Sequence, residues 1–328
     1  MTAIHILGFG AYTPERRMSN DELTRLVDTS DEWIVSRSGI RARHVLADGE
    51  QNSDAGTKAA LQALEHANIS PESITHVLTA TCTPDYLCCP STACIISSNL
   101  GIHGEMAFDI SAACSGFIYG LDLAKGILSH SPDANILLVA TEALTRRINW
   151  QDRGTSVLFG DGAGAMILGA GSSTGKAQLI DSKCRADGAQ HLLLTVGGGS
   201  NHRYEPGDAV QPDFYIQMQG REVFKVAVRS LTAICREILS RNELEVGDID
   251  LFIPHQANLR IIEAVGSRLA MPHDRIFVNV DEHGNTSAAS IPLALREAWE
   301  LGRIQPGMKV LLSTFGGGFT WGAALLQF

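Results

Sequence analysis

The chain contains no run of about 18 uninterrupted apolar residues, which excludes a hydrophobic membrane-spanning helix. Its start, MTAIHILGFGAYTP, has no basic stretch ahead of a long apolar segment and no small-residue cleavage site. It reads as a first strand ending in a glycine turn rather than as a secretory leader. No two of the seven cysteines (Cys82, Cys88, Cys89, Cys94, Cys114, Cys184, Cys235) form a C-x-x-C pair, and their number is odd. That points away from a disulfide framework and toward reduced thiols in the cytoplasm. Positive charge is the minority, 26 Lys and Arg against 36 Asp and Glu, giving a net charge of −10. A general nucleic-acid or anionic-membrane surface is therefore not expected, and an acidic partner needs a local basic patch.

Several motifs are incomplete. GFGAYT has two glycines of a dinucleotide fingerprint but threonine in the third place, and GDGAGA lacks the Lys-Ser/Thr of a phosphate loop. HGE at 103–105 is not followed by Pro-Cys-x-x-Cys, which excludes a zinc deaminase, and His-rich metal spacing is missing.

What is present is an alternation of strand-like and helix-like runs, the pattern of α/β layers. Residues 54–69, DAGTKAALQALEHANI, space Ala59, Leu61, Ala63, Leu64 and Ala67 as a helix does, and ITHVLTATC then reads as a buried strand. The second half repeats the order, with VFKVAVRSLTAICREIL followed by IDLFIPHQAN. MAFDISAACSG pairs with IFVNVDEHGNTSAAS, and ANILLVATEA with MKVLLSTFGGG, at a near-constant offset. Two copies of one long unit are expected, residues 1–172 and 173–328, with the seam in LGAGSSTGKAQ and a ligand site on the shared interface.

In FDISAACSGFIYG the strand signal stops at Ser111, and a helical stripe begins at Phe117. Cys114 thus sits at a helix N-terminus, where partial positive charge favours a thiolate. Its two readings are a nucleophile among small residues and an inert buried thiol. His255 in IPHQAN follows an apolar strand, and Asn285 in HGNTSAAS lies at the joint corresponding to that of Cys114. Imidazole suits acid–base work, and an amide suits holding a developing oxyanion. Each could instead be structural, His255 capping a turn and Asn285 supplying a left-handed one. FGGGFTWG offers backbone N–H groups and close approach, packed by Phe315, Phe319 and Trp321.

DTSDEWIVSRSGIRARH, AACSGF, RGTSVLFGDGAGA, PHQANLRII, HGNTSAAS and FGGGFTWGAAL together closely resemble the β-ketoacyl-[acyl carrier protein] synthase III family, nearly end to end. The resemblance implies a thiolase-like, five-layered αβαβα fold of two similar halves. It implies a decarboxylative condensation of an acyl-CoA primer with malonyl-[acyl carrier protein], which initiates fatty acid synthesis and needs no metal or redox cofactor. By the same resemblance Cys114, His255 and Asn285 are catalytic, and the N–H groups of Cys114 and Gly317 form the oxyanion hole. Trp33, Arg37, Arg153 and Asn258 take the CoA, with Trp33 and Arg153 sandwiching its adenine. Phe159 lines the acyl chamber, Gln256 supports His255, and Lys225, Arg260 and Arg268 dock the carrier protein. A homodimer is implied as well. One position departs from short-primer members: Cys89 stands where they carry a phenylalanine that crosses the dimer and closes the acyl pocket. Rival readings are a condensing enzyme or acyltransferase of secondary metabolism, a polyketide or HMG-CoA synthase relative, and a non-catalytic acyl-CoA-binding protein.

Overall fold

The computed structural model describes residues 3–171, 175–199 and 208–328, so the expected seam at 172/173 lies outside the described residues. Nine strands form one sheet. They are β1 (Ile4–Tyr12), β2 (His76–Ala80), β3 (Met106–Ile110), β4 (Asn135–Glu142) and β5 (Gly162–Ala170) from the first half of the chain. The second half supplies β6 (Ala177–Ala186), β7 (Leu251–Pro254), β8 (Lys309–Gly316) and β9 (Thr320–Gln327).

Their order, β7-β8-β9-β6-β1-β5-β4-β2-β3, is a mirrored pair. Outward from the centre one half reads β1, β5, β4, β2, β3. The other reads β6, β9, β8, β7, with a parallel bridge from Phe252 to Ile276 in place of a fifth strand. In both halves the first two pairings are antiparallel and the next two parallel. The halves join where Ile4, His5 and Ile6 of β1 pair with β6.

The helices that matter to the site are α1 (Asp31–Ser38), α2 (Asn52–Ala67), α3 (Thr92–Asn99), α4 (Gly116–His130), α5 (Gly220–Arg241), α6 (Leu259–Leu269) and α7 (Ser290–Glu300). Helix α4 touches β4 on one side and β6 and β9 on the other, while α7 touches β5, β1 and β7. Both therefore lie between the half-sheets, where Phe117, Leu121, Ile291 and Leu295 bury their side chains. Outside, Ala59 and Ala63 of α2 pack on one half and Leu231 and Ile238 of α5 on the other. Helix, sheet, helix, sheet, helix: the five layers expected are the five observed.

The first strand does not end at its glycines. It runs through Gly8 and Gly10 to Tyr12, because α2 presses its backbone against them. A Cβ on Gly10 would sit 2.4 Å from the Ala59 carbonyl oxygen, and one on Gly8 2.5 Å from the Ala67 nitrogen. Among the described residues no helix is long and apolar enough to cross a membrane. All seven cysteines are free.

Candidate active site

Two equivalent joints meet at the centre of the molecule. After β3, Ala113 takes a left-handed backbone (φ 47°), and a single tight turn, Ala113–Ser115, leads into α4. In the other half Ser287 does the same (φ 49°), and Ser287–Ala289 leads into α7. The residue that matches Cys114 is thus Ala288, and Asn285 lies just ahead of the joint rather than at Cys114's counterpart. A Cβ on Gly116 would clash with that of Ala80 on β2 at 2.7 Å, while that of Ala288 on the other joint stands at an ordinary contact distance of 3.6 Å.

Cys114, His255 and Asn285 come from both halves and line one cavity of about 800 Å³. All three are almost entirely buried. His255 follows β7, and its Nδ1 lies 2.6 Å from the Ser290 hydroxyl. That hydroxyl oxygen also accepts the Gln256 N–H (3.4 Å). With the hydrogen of a neutral imidazole on Nε2, Ser290 donates to Nδ1; with it on Nδ1, Ser290 accepts. Asn285 is fixed by three backbone links. Its Oδ1 accepts from Ser287 N–H (2.9 Å), its N–H donates to Leu158 (2.8 Å), and its carbonyl accepts from Gly160 (3.1 Å). With Oδ1 engaged, the amide presents its N–H₂ as donor. Gln256, also buried, donates to the carbonyls of Pro254 (2.8 Å) and Phe277 (3.1 Å) and accepts from Asn279 N–H. It holds the loop after β7 in place.

Burial pushes His255 down to about 3, so it is neutral. Burial also pushes the Cys114 thiol up to about 12, although hydrogen bonding from Ser287 works against this. The helix terminus alone predicted a favoured thiolate; desolvation outweighs it, and the cysteine rests as the thiol.

The mouth of the cavity is basic. Arg37, Arg153, Arg221, Lys225 and Arg260 all line it, a local positive patch on an acidic chain. Ser30 caps α1 by accepting the Trp33 N–H (3.2 Å), which sets the Trp33 indole on the rim. The Arg153 guanidinium lies 4.6 Å over that ring. The two touch directly, so a base between them requires Arg153 to swing out. Asn258 caps α6 through Oδ1 and holds the Arg37 carbonyl through Nδ2 (3.1 Å), tying α1 to α6. Phe159 lines the cavity beside Asn285, joined to it by a parallel bridge. Lys225 is paired with Glu222 (2.9 Å).

Three expected residues stand apart. Gly317 is not part of the lining; it packs against Leu194, and its neighbour Gly316 is the glycine against the nucleophile, a Cβ there falling 2.7 Å from Cys114 N. Arg268 lies at the end of α6 away from the cavity, its carbonyl taking a bond from Arg236. Cys89 is exposed, outside this chain's own cavity. Sequence reasoning did not single out Arg221, Phe224, Ser290 or Gly316. Arg221 and Phe224 fall on the first turn of an amphipathic helix and read there as ordinary surface and core.

The family described as 3-oxoacyl-[acyl-carrier-protein (ACP)] synthase III matches residues 108–188, and its C-terminal part matches 239–328. The chain is 57% identical to the β-ketoacyl-[acyl-carrier-protein] synthase III of Nitratidesulfovibrio vulgaris (Miyazaki F) over 99% of this chain and 98% of the relative. The enzyme of the same name from Campylobacter fetus is 49% identical, over 100% and 99%. The crystal structure of 3-oxoacyl-[acyl-carrier-protein] synthase III from Aquifex aeolicus superposes with a TM-score of 0.91 at 43% identity, covering 99% of this chain and 100% of that one. The priming β-ketosynthase of the R1128 polyketide pathway follows at 0.88 and 34%, over 99% and 96%. The chain belongs to the β-ketoacyl-[acyl-carrier-protein] synthase III family, the acyltransferases that carry out the initiating condensation of fatty acid synthesis.

Proposed function

We propose that Cys114 takes the acyl group of an acyl-CoA primer and that His255 and Asn285 drive decarboxylation of malonyl-[acyl carrier protein]. The observation that carries this is the convergence of all three on one cavity, with Asn285 held by its Oδ1 so that its N–H₂ is free to donate. His255 Nε2–H and the Asn285 amide hold the malonyl thioester oxygen as enolate charge develops. The carbanion attacks the acyl–Cys114 thioester and gives a 3-oxoacyl product two carbons longer. The backbone N–H of Cys114, which Gly316 rather than Gly317 abuts, receives the oxyanion of each tetrahedral intermediate. Loss of CO₂ supplies the carbanion, so the scheme asks for no cofactor.

Trp33, Arg37, Arg153 and Asn258 form the CoA end of the tunnel, and Phe159 its acyl wall. Arg260, with Lys225 and Arg268, receives the carrier protein in the cytoplasm. A homodimer fits the open edge of the sheet, since β3 is its last strand and Met106 there is exposed, as are Tyr86 and Leu87 on the loop carrying Cys89. Residues 1–172 and 173–328 are the two duplicated halves. The test is product formation from acyl-CoA with malonyl-carrier and with free malonyl-CoA. A 3-oxoacyl-carrier product is expected; preference for free malonyl-CoA or another acceptor overturns the reading in favour of a secondary-metabolite relative.

A further inference from the structure

His255 and Asn285 stand on different loops, and one helix reaches both. Helix α7 begins with Ser290, whose hydroxyl lies 2.6 Å from His255 Nδ1 and accepts the Gln256 N–H. Glu297 follows seven residues later, two turns on and so on the same face, about 10 Å further along the axis. Its Oε2 accepts from both ends of one short turn: from the Asn279 side-chain amide at 2.7 Å and from His283 Nε2 at 3.1 Å. The scheme above gives Glu297 and Asn279 no part.

Each end of that turn leads to one of the two donors. At its start, the Asn279 N–H donates to Gln256 Oε1 (3.0 Å), and Gln256 holds the loop that carries His255. At its end, only Gly284 separates His283 from Asn285. Gly284 has φ 65°, a conformation glycine enters without cost, and it brings no side chain to hold the turn itself. An ionised carboxylate only accepts, so beside Glu297 the Asn279 amide must present Nδ2 and the His283 ring must carry its hydrogen on Nε2. Burial works to raise the Glu297 carboxyl, but the bonds from His283 and Asn279 outweigh it and hold the group below the usual carboxylate range. Cys114 is held by a separate set of contacts: the Thr314 hydroxyl donates to its carbonyl (2.7 Å), and Gly316 lies against its N–H.

We propose that Glu297 and Asn279 are positioning residues for the decarboxylating pair, so that α7 sets the spacing between His255 and Asn285 at which both reach one thioester oxygen. Ser290 fixes one side of that spacing and Glu297 the other. Removing the carboxylate releases the turn, and the displacement passes to Asn285 through His283 and to the His255 loop through Asn279. This rests on the roles of His255 and Asn285 proposed above.

The two half-reactions of one sample test it: the burst of CoA from acyl-CoA, which reports Cys114, and the loss of CO₂ from malonyl-carrier, which reports the pair. In Glu297→Ala, CO₂ loss is expected to fall between about 10- and 100-fold, the upper figure being that of a 1 Å misplacement. The fall is in kcat, with KM for malonyl-carrier and the burst each within about twofold of the wild type. Glu297→Gln keeps an oxygen that accepts both bonds and recovers most of the rate. Asn279→Ala shows the same split, and the double variant Asn279→Ala/Glu297→Ala is no slower than the worse single one, because both act through one linkage. Unchanged CO₂ loss in Glu297→Ala overturns the proposal, as do multiplying effects in the double variant. A parallel fall in burst and CO₂ loss also overturns it, since that is the mark of a carboxylate needed only for folding. A wild-type protein that gives no burst or releases no CO₂ defeats the reading of the site itself; a competent wild type with an indifferent Glu297→Ala defeats only this inference.

Discussion

Ala113 and Ser287 share one left-handed backbone conformation, φ 47° and 49°, at matching turns of the two halves. The duplication has used the same strained joint twice for different ends. In one copy it presents a thiol on the next residue. In the other the following residue is Ala288, and the side chain that reaches the shared cavity is Asn285, two residues ahead of Ser287.

Gly316 is where this joint is most intolerant. The atoms a Cβ would meet are the backbone nitrogens of Cys114 at 2.7 Å and Ser115 at 3.0 Å, neither of which can rotate away. Gly316→Ala is expected to displace the nucleophile and slow CoA release on the order of 100-fold, the scale of a 1 Å misplacement in an active site. Stopped-flow release beside a circular-dichroism spectrum checks this; a folded variant with the wild-type rate contradicts it.

His255 ties stability to acid. Its folded value near 3 lies below the ordinary 6.5, so the unfolded chain binds a proton that the native state refuses. Its contribution is complete above about pH 6.5 and is lost as pH falls toward 3, by at most ~1.4 kcal/mol per pH unit. Urea midpoints measured between pH 7 and 4 are expected to fall less steeply in His255→Gln than in the wild type. Equal slopes contradict a buried neutral imidazole.

Arg260 lies on the cavity rim, 5.7 Å from the Phe224 ring, on the path of anything that delivers a thioester from outside. Arg260→Glu is expected to raise KM for the malonyl-carrier at least 10-fold more than it changes the acyl-CoA burst. Equal losses on both substrates place Arg260 outside the docking surface.

Cys89 is exposed and lies off its own chain's cavity, so any effect on the acyl chamber comes through a second copy. Cys89→Phe is expected to shift primer preference toward acetyl-CoA over longer acyl-CoAs by about 10-fold, an amount in keeping with filling a few methylenes' worth of pocket. An unchanged preference across a chain-length series removes Cys89 from that wall.

Much of this molecule is written in local pattern. The alternation of runs and their recurrence pointed to two halves, and local pattern raised Cys114, His255 and Asn285 as candidates beside structural readings, which the family resemblance joined into one set. What escaped depends on contacts between halves. Ser290 looks like any helix-start serine until β7 brings His255 to it. Nothing in three consecutive glycines says that the first, Gly316, abuts Cys114. The full length of the first strand is hidden at its glycines because a bare backbone under α2 and a turn leave the same signature in one dimension. The ionisation of Cys114 is illegible for a related reason: a helix terminus is visible in sequence, whereas the depth of burial that outweighs it is not.

Intact-protein mass spectrometry after brief incubation with acyl-CoA, followed by peptide mapping, tests the central assignment most directly. A mass increase equal to the acyl group, confined to the peptide carrying Cys114, absent from Cys114→Ala and discharged on adding malonyl-carrier, is the predicted result. An unmodified protein, or an adduct on any of the other six cysteines that malonyl-carrier leaves in place, would contradict it.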